Sequence, residues 1–321
     1  MIFWPLDTKL IEFRVRIFRT ISVSLCRLFG VSRQAFYQRE ELGQKGNAQS
    51  LLVLDLVLAF RREIPGIGTR KLHLLLRESL VSSGIKLGRD KLHRLLQDHN
   101  LVLHQQRHVP KTTDSAHRLK KYPNLLANKL LTASKQAWVC DITYLCVGFS
   151  FGYLSLITDA YSKMIVGYCL HPYLNTEGCL IALEMALTLL DKRESELIHH
   201  SDRGSQYCSY QYVRKLQGAG ISISMTQHGD PYENAMAERV NGILKTEFLL
   251  NQVFRSFDEA SRAVDISVHN YNHLRPHMSC DYLTPAEAHT TDQPLKKHWK
   301  PKVYKRGKGL SPVELENSVE P

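Results

Sequence analysis

Three acidic residues stand where a carboxylate is costly or conspicuous. Asp141 interrupts the apolar run WVCDITYL, Asp202 ends LIHHSD, and Glu238 lies in a long helical stretch. A carboxylate in an apolar strand gives up its hydration, so it must recover a hydrogen-bond donor, a cation or a proton. No basic residue lies within four positions of Asp141. An oxygen-only donor set suits a hard divalent ion such as Mg²⁺ or Mn²⁺. A carboxylate that merely caps nearby backbone is the other reading of Asp141 taken alone.

The elements that must carry these acids follow from periodicity. On a helix over about 232–248, at about 100° per residue, Met236, Val240, Ile243 and Leu244 share one face. Asn234, Glu238, Asn241 and Lys245 gather on another, about 145° away, which is therefore expected to stay free for chemistry. Upstream, AWVCDITYLCV, FGYLSLITDAYS and MIVGYCLHPYL alternate as strands, the first two joined at Gly148. TEGCLIALEMALTLLDK and SYQYVRKLQGAG read as helices that separate the short strands LIHHSD and SISMT. The order βββαβαβα predicts a mixed α/β sheet. Asp159 also ends a strand; it is expected to cap the following turn through Ser162 rather than to join the site.

Ahead of this core the chain is helical and basic. SVSLCRLFGVSRQAFYQ (22–38) reads as helix, glycine turn and a second helix capped by Ser32, which is helix-turn-helix grammar, although a plain helical hairpin fits it as well. LLVLDLVLAFRREI (51–64) is a helix ended by Pro65-Gly66. Thr69 is placed to cap TRKLHLLLRESL, and RDKLHRLLQDHNL follows Gly88. His73 and His93, set among leucines, read as structural. Residues 104–135 lose periodicity and hold Arg118, Lys120 and Lys121 near two prolines, so they read as a basic linker. The polar tail from 291 reads as disordered. The domains expected are thus 1–47, a helix-turn-helix-like segment; 48–103, a helical DNA-binding unit; 104–135, the linker; 136–290, the α/β core; and 291–321, the tail.

Charge follows the same division. Of 321 residues, positions 1–136 carry 24 Lys and Arg against 10 Asp and Glu, a net +14, whereas positions 137–290 carry 11 against 17, a net −6. A basic front suits nucleic acid, whose phosphates reward Lys and Arg through counterion release. An acidic core repels it unless cations neutralise some carboxylates. The candidate DNA contacts are Arg33, Arg89, Lys91, Arg94, Lys120, Lys121, Arg203 and Lys245, with Asn234 and His200 as supports of the acids. Arg275 and His277 read as fixing a turn. Seven scattered cysteines with no CxxC pair make neither a disulfide framework nor a thiolate zinc site. Lacking an apolar run of membrane length and a signal-peptide pattern, the chain is expected to be cytoplasmic.

Asp141, Asp202 and Glu238, with 35 residues between the last two, resemble the Asp-Asp-35-Glu triad of retroviral integrases and related transposases. WVCDITYL, HSDRGSQY, ENAMAERVNGILKTE and YNHLRPHMSCDYLTPAEA together resemble the second-frame (OrfB) transposase of bacterial insertion sequences, as do TTDSAHRLKKYPNLL and LCRLFGVSRQAFYQ. Glu233 stands where that family usually has Asp, and the His/Cys zinc domain of retroviral integrases has no counterpart, since the front holds only Cys26. The resemblance implies an RNase H-like core. It implies two Mg²⁺ or Mn²⁺ ions held by Asp141, Asp202 and Glu238, and cleavage and joining of DNA strands at the element's ends. It also implies that Lys245, seven residues past Glu238, touches DNA. Terminal repeats and target DNA would be substrates, with a homo-oligomer formed on DNA and an upstream-frame OrfA protein, or an OrfA-OrfB fusion, as a further partner. An RNase H-like nuclease without joining activity, and an inactive remnant that only binds DNA, are the readings left open beside it.

Overall fold

The stretch AWVCDITYLCV pairs along its whole length. Strand β1 (Ala137–Val147) and strand β2 (Ser150–Asp159) run antiparallel from Val147↔Ser150 to Trp138↔Asp159. The turn between them needs Gly148, whose φ of +56° is a conformation that glycine adopts without cost. β3 (Ile165–His171) adds antiparallel to β2 with a register shift at Ile157/Thr158. Helix α5 (Thr176–Leu187) then returns the chain, so that β4 (Ile198–Ser201) lies parallel to β1 and β5 (Ser222–Met225) parallel to β4. The strand order is β3-β2-β1-β4-β5, with the two-residue β6 (Val253–Phe254) paired to β1 beyond the end of β4. This mixed sheet is the expected RNase H-like α/β architecture.

The computed structural model describes residues 32–103, 119–127, 129–190, 196–227 and 234–296. The helix expected before Gly30, half of the linker, Cys26, Glu233, the first residues of the Glu238 helix and most of the tail lie outside the described residues. Among the described residues no helix is long and apolar enough to cross a membrane. The six described cysteines are all free thiols.

Each sheet face has its own cover. On one, Trp138, Cys140 and Ile157 pack with Ala182 and Leu183 of α5, Tyr207 of α6 (Ser205–Cys208) and Tyr212 and Leu216 of α7 (Tyr210–Gly218). Gly167 of β3 is required there, because a Cβ would land on the Ala182 carbonyl. On the other, Ala137, Val139 and Ile198 meet Ala237 of α8 (Ala235–Glu247). Both outer strands are closed by side chains or loops. Asn272, from α9 (Phe257–His273), accepts from the Ile165 N–H at 3.0 Å and donates to the Ile165 carbonyl at 2.9 Å. At the opposite edge Met225 N–H reaches the Pro123 carbonyl (3.3 Å), and Leu125 N–H donates to Ser224 Oγ (2.8 Å). Short α10 (Pro285–Thr290) begins with a capping box of Thr284 and Glu287.

The chain divides into two units, Lys111–Lys245 with Leu250–Pro321, which holds the sheet, and Met1–Pro110 with Thr246–Leu249. In the latter, the helix expected from Ser32 and that expected over 51–64 are one continuous helix, α1 (Arg33–Glu63). The intervening residues explain it, since Glu40, Glu41, Leu42, Gln44, Lys45, Ala48 and Gln49 favour helix and two glycines cost only about 1 kcal/mol each. The single helix expected after Gly68 is instead broken at Leu76 into α2 (Thr69–Leu75) and α3 (Arg77–Ser82). Thr69 is the first helical residue rather than a side-chain cap, Gly68 holding that position. Its hydroxyl lies 3.4 Å from His93 Nδ1, and His73 Nε2 lies 2.9 Å from the Leu87 carbonyl, so both histidines are structural. Helix α4 (Arg89–Asp98) follows.

Candidate active site

Parallel pairing brings the two aspartates together. Cys140 is the register partner of Ser201, so the next residue on each strand, Asp141 and Asp202, emerges at the same level where β1 and β4 part. Asp141 is half-buried. Its Oδ1 accepts from the Ile142 N–H (2.9 Å) and its Oδ2 from Asn241 Nδ2 (2.7 Å). Asp202 Oδ1 accepts from the Gly204 N–H at 3.0 Å, and a Cβ on Gly204 would press on that same oxygen. Burial pushes the Asp141 carboxyl up to about 7; the Asp202 charge adds to the rise, the two hydrogen bonds oppose it, and the Glu238 charge adds a smaller rise. All three acids of the sequence reading therefore share one electrostatic neighbourhood.

Glu238 is exposed in the first turn of α8. Among the described residues no three His, Cys, Asp or Glu side chains converge as a metal-holding group. The chemistry of the donors fits a hard divalent ion, because Asp141 and Asp202 bring oxygen ligands whose mutual repulsion a cation would relieve. The register brings Asp141 and Asp202 to one level, and Glu238 does not complete a group of three with them among the described residues.

The face of α8 expected to be free is not free throughout. Asn234 and Asn241 are buried, and Asn234 Nδ2 donates to the Cys140 carbonyl at 3.2 Å. These two amides tie α8 to consecutive residues of β1, and their carbonyl oxygens are buried without a hydrogen-bond partner among the described residues. Periodicity places Asn241 beside Glu238; that it grips Asp141 depends on which strand α8 crosses, which periodicity does not contain. Lys245 is half-buried, with its ammonium 4.7 Å from the centroid of the Tyr144 ring. Burial lowers its pKa, and the fields of Cys146 and Asp141 oppose the change.

Other candidates occupy varied settings. His200 is fully buried and its Nδ1 lies 2.8 Å from Ser224 Oγ, linking β4 to β5. Its neighbour His199 is held neutral by burial, with its pKa near 3, between Cys140 Sγ (2.9 Å) and the Tyr212 hydroxyl (2.8 Å). Arg203 is half-buried; its field and that of exposed Lys121 both reach Cys208 in α6. Lys120 lies over the Tyr122 ring at 5.1 Å. In α4, Arg89 pairs with Asp90 at 2.8 Å, while Lys91 and Arg94 are exposed. Arg33 begins α1, and its side chain lies outside the described residues. Arg275 is buried over Tyr271, and His277 Nδ1 accepts from the Ser279 N–H at 3.3 Å, so both fix the turn before α10 as expected. Asp159 is fully buried, its Oδ1 accepting from Tyr161 N–H, Ser162 N–H and Ser162 Oγ–H at 2.8–3.0 Å and its Oδ2 from Lys135 N–H at 2.7 Å, which confirms it as a turn cap.

Comparison with known proteins bears on this site. Two models of the integrase core domain match residues 132–231 and 219–285, a span containing Asp141, Asp202 and Glu238. An uncharacterised 31 kDa protein of insertion element IS600 from Shigella sonnei is 36% identical over 266 residues, which cover 82% of this chain and 96% of that protein. A candidate transposase of insertion sequence IS986/IS6110 from Mycobacterium tuberculosis is 31% identical, with 68% of this chain and 80% of the relative covered. The transposase InsF of insertion sequence IS3A from Escherichia coli is 28% identical across 82% and 92%. A solved HTLV-2 integrase catalytic core domain in complex with magnesium aligns over 49% of this chain and 97% of its own at 18% identity and a TM-score of 0.39, too remote for any assignment to rest on it. With the acids on adjacent strands, the integrase-core matches across them and relatives of this coverage, the chain belongs to the insertion-sequence transposases built on an integrase catalytic core, enzymes of the polynucleotidyl transferase class.

Proposed function

We propose that the protein cuts and joins DNA strands at the ends of an insertion sequence in a metal-dependent reaction, with Asp141, Asp202 and Glu238 as the catalytic carboxylates. The observation that carries this is the β1–β4 register, which sets Asp141 beside Asp202 so closely that the Asp202 charge opposes ionisation of Asp141. Asp141 and Asp202 would hold Mg²⁺ or Mn²⁺, two ions per site, with Glu238 closing the set from α8. Such ions, when bound, neutralise charge on the attacking and leaving oxygens of an in-line displacement at phosphorus.

The chain's own residues supply position. The Gly204 N–H fixes the Asp202 carboxylate, and Asn241 holds one oxygen of Asp141 while leaving its charge intact. Lys245 offers a cation to a phosphate next to the reacting one, and Lys121 and Arg203 offer charge on the Asp202 side. A terminal 3′-hydroxyl, placed in line, then displaces a target oxygen with inversion at phosphorus and needs no covalent protein intermediate. Exposed Lys91 and Arg94 of α4, with Arg33, Arg89 and Lys120, are proposed to hold DNA. This assigns residues 1–47 and 48–103 to DNA recognition, 104–135 to a linker and 136–290 to catalysis. A homo-oligomer on DNA, an OrfA partner and a cytoplasmic, nucleoid-associated setting complete the proposal.

A strand-transfer assay with a pre-cut duplex end and Mg²⁺ or Mn²⁺ tests it. Joined product from the wild-type chain and none from Asp202→Asn is expected. Undiminished joining by Asp202→Asn overturns the assignment, and hydrolysis without joining by the wild type favours the nuclease.

A further inference from the structure

The sheet face covered by α5 is not covered to its end. Gly178, in the first turn of α5, lies against His171 and Ser155. Beyond that level the same face continues through Tyr144, Tyr153 and Phe151, which the β1–β2 register places together, Tyr144 opposite Tyr153 and Phe151 opposite Cys146. Tyr144 is 38% exposed and Phe151 44%, and their rings meet edge to face with centroids 5.4 Å apart. Phe149, in the turn, is wholly exposed. Isolated exposed aromatics need no explanation, but three on one hairpin form a patch.

The chemistry around the patch indicates what would cover it. No carboxylate occurs between Ile142 and Thr158, so the hairpin lacks the acidity of the rest of the core. A cation lies against it: Lys245 sits over the Tyr144 ring and also feels the field of Asp141, which places the patch near that acid. Exposed aromatic rings with a cation against one of them match a nucleotide, whose base stacks on a ring and whose phosphate is negative.

We infer that the Tyr144–Phe151 face at the β1–β2 hairpin is a stacking platform for unpaired nucleotides of the DNA strand that enters the catalytic acids, with Lys245 engaging the adjoining phosphate. The inference rests on the proposed strand-transfer reading and adds to it the state of the substrate: DNA opened into single strand at the point of reaction. Duplex DNA keeps its base faces stacked on each other, so only an unpaired end or a locally melted segment can use the platform.

The test uses the full chain with an oligonucleotide duplex that carries a short single-stranded tail containing 2-aminopurine, and with the blunt duplex as comparison. Stacking should quench the tail fluorescence on binding. Tyr144→Ser and Phe151→Ser should each weaken binding of the tailed duplex about tenfold and leave the blunt duplex unchanged, whereas Tyr144→Phe and Phe151→Tyr should bind as wild type. Both side chains are partly exposed, and melting curves verify that the variants are folded. Tailed-duplex binding and quenching unchanged in both serine variants would overturn the platform. So would serine variants that alter only self-association of the DNA-free chain, since the face would then be an interface between copies. Asp202→Asn is expected to keep the quench while losing joining; joining by Asp202→Asn would sink the catalytic reading without touching the stacking result.

Discussion

The β1–β2 pair holds two aspartates three rungs apart, and the contrast between them separates structure from chemistry. At the end of β2, Asp159 is fully buried and receives four donors from Lys135, Tyr161 and Ser162. Within β1, Asp141 receives two donors and faces the charges of Asp202 and Glu238. One carboxylate is satisfied by the fold, whereas the other is left with a charge that the fold opposes. Both are aspartates of the same strand pair. What differs is the sign of the neighbours, and an unsatisfied charge held next to like charges marks a functional site.

The contrast can be broken in order of expected effect. Asp141→Asn and Asp202→Asn should each lower strand transfer by at least about 10³-fold, as expected for groups that act as a unit, while Asp159→Asn joins ends at close to the wild-type rate. Joining lost in a folded Asp159→Asn protein would mean the turn after β2 belongs to the site. Asp159→Asn should instead cost about 3 kcal/mol of stability, since the new amide would set a donor against one of the four N–H or O–H groups; chemical denaturation reads this.

Asp141→Asn should have the opposite effect on stability. In metal-free protein the Asp141 carboxyl, near 7 when folded and about 3.9 unfolded, binds its proton more tightly in the native state. Wild-type stability therefore falls as pH rises from about 4 to 7. A shift of that size is worth about 4 kcal/mol at full burial, and partial exposure reduces it to about 2 kcal/mol. The asparagine variant should be more stable than wild type by that amount at pH 8 and equal near pH 4, as melting curves across pH would show. Added Mg²⁺ should shrink the difference at pH 8.

Asn241→Leu probes the link between Asp141 and α8. Its loss should cost about tenfold in joining at neutral pH and move the acidic limb of the pH–rate profile upward, because the amide favours the ionised carboxylate. An unshifted profile would reduce Asn241 to packing. The smallest effect is aimed at the DNA contacts proposed on α4. Removing Lys91 and Arg94 together should lower the slope of log affinity against log salt by about 1.8 on duplex DNA, with joining at saturating DNA unchanged.

Much of the core was readable in advance because its signals are local. Alternation gave β1 its observed limits, and Gly148 its turn. Asp141 announced itself by being a charge among apolar neighbours, and Asp159 by the serine three positions on. What escaped depended on distant partners. The polar face of α8 was visible, but the burial of Asn234 and Asn241 against β1 was not, since an angle on a helical wheel does not say what covers it. Helix α9 went unread although Ser256 and Glu259 offered a start signal, the serine hydroxyl accepting from the Glu259 N–H. In the front, the helices read from Ser32 and over 51–64 join into one, because the residues between them favour helix more than two glycines oppose it.

The finish of the sheet's outer strands has a consequence for how the protein behaves in concentrated solution. A strand edge with spare N–H and C=O groups is a template on which another chain can crystallise into a fibre or a precipitate. Here a single asparagine, Asn272, does at Ile165 what a neighbouring strand would do, and residues 123–125 screen β5. Protection of these edges thus rests on a few polar contacts outside the acids. Replacing Asn272 with a residue unable to both give and accept would expose β3 at its first residue, a shorter route to an insoluble protein than any change at the catalytic carboxylates.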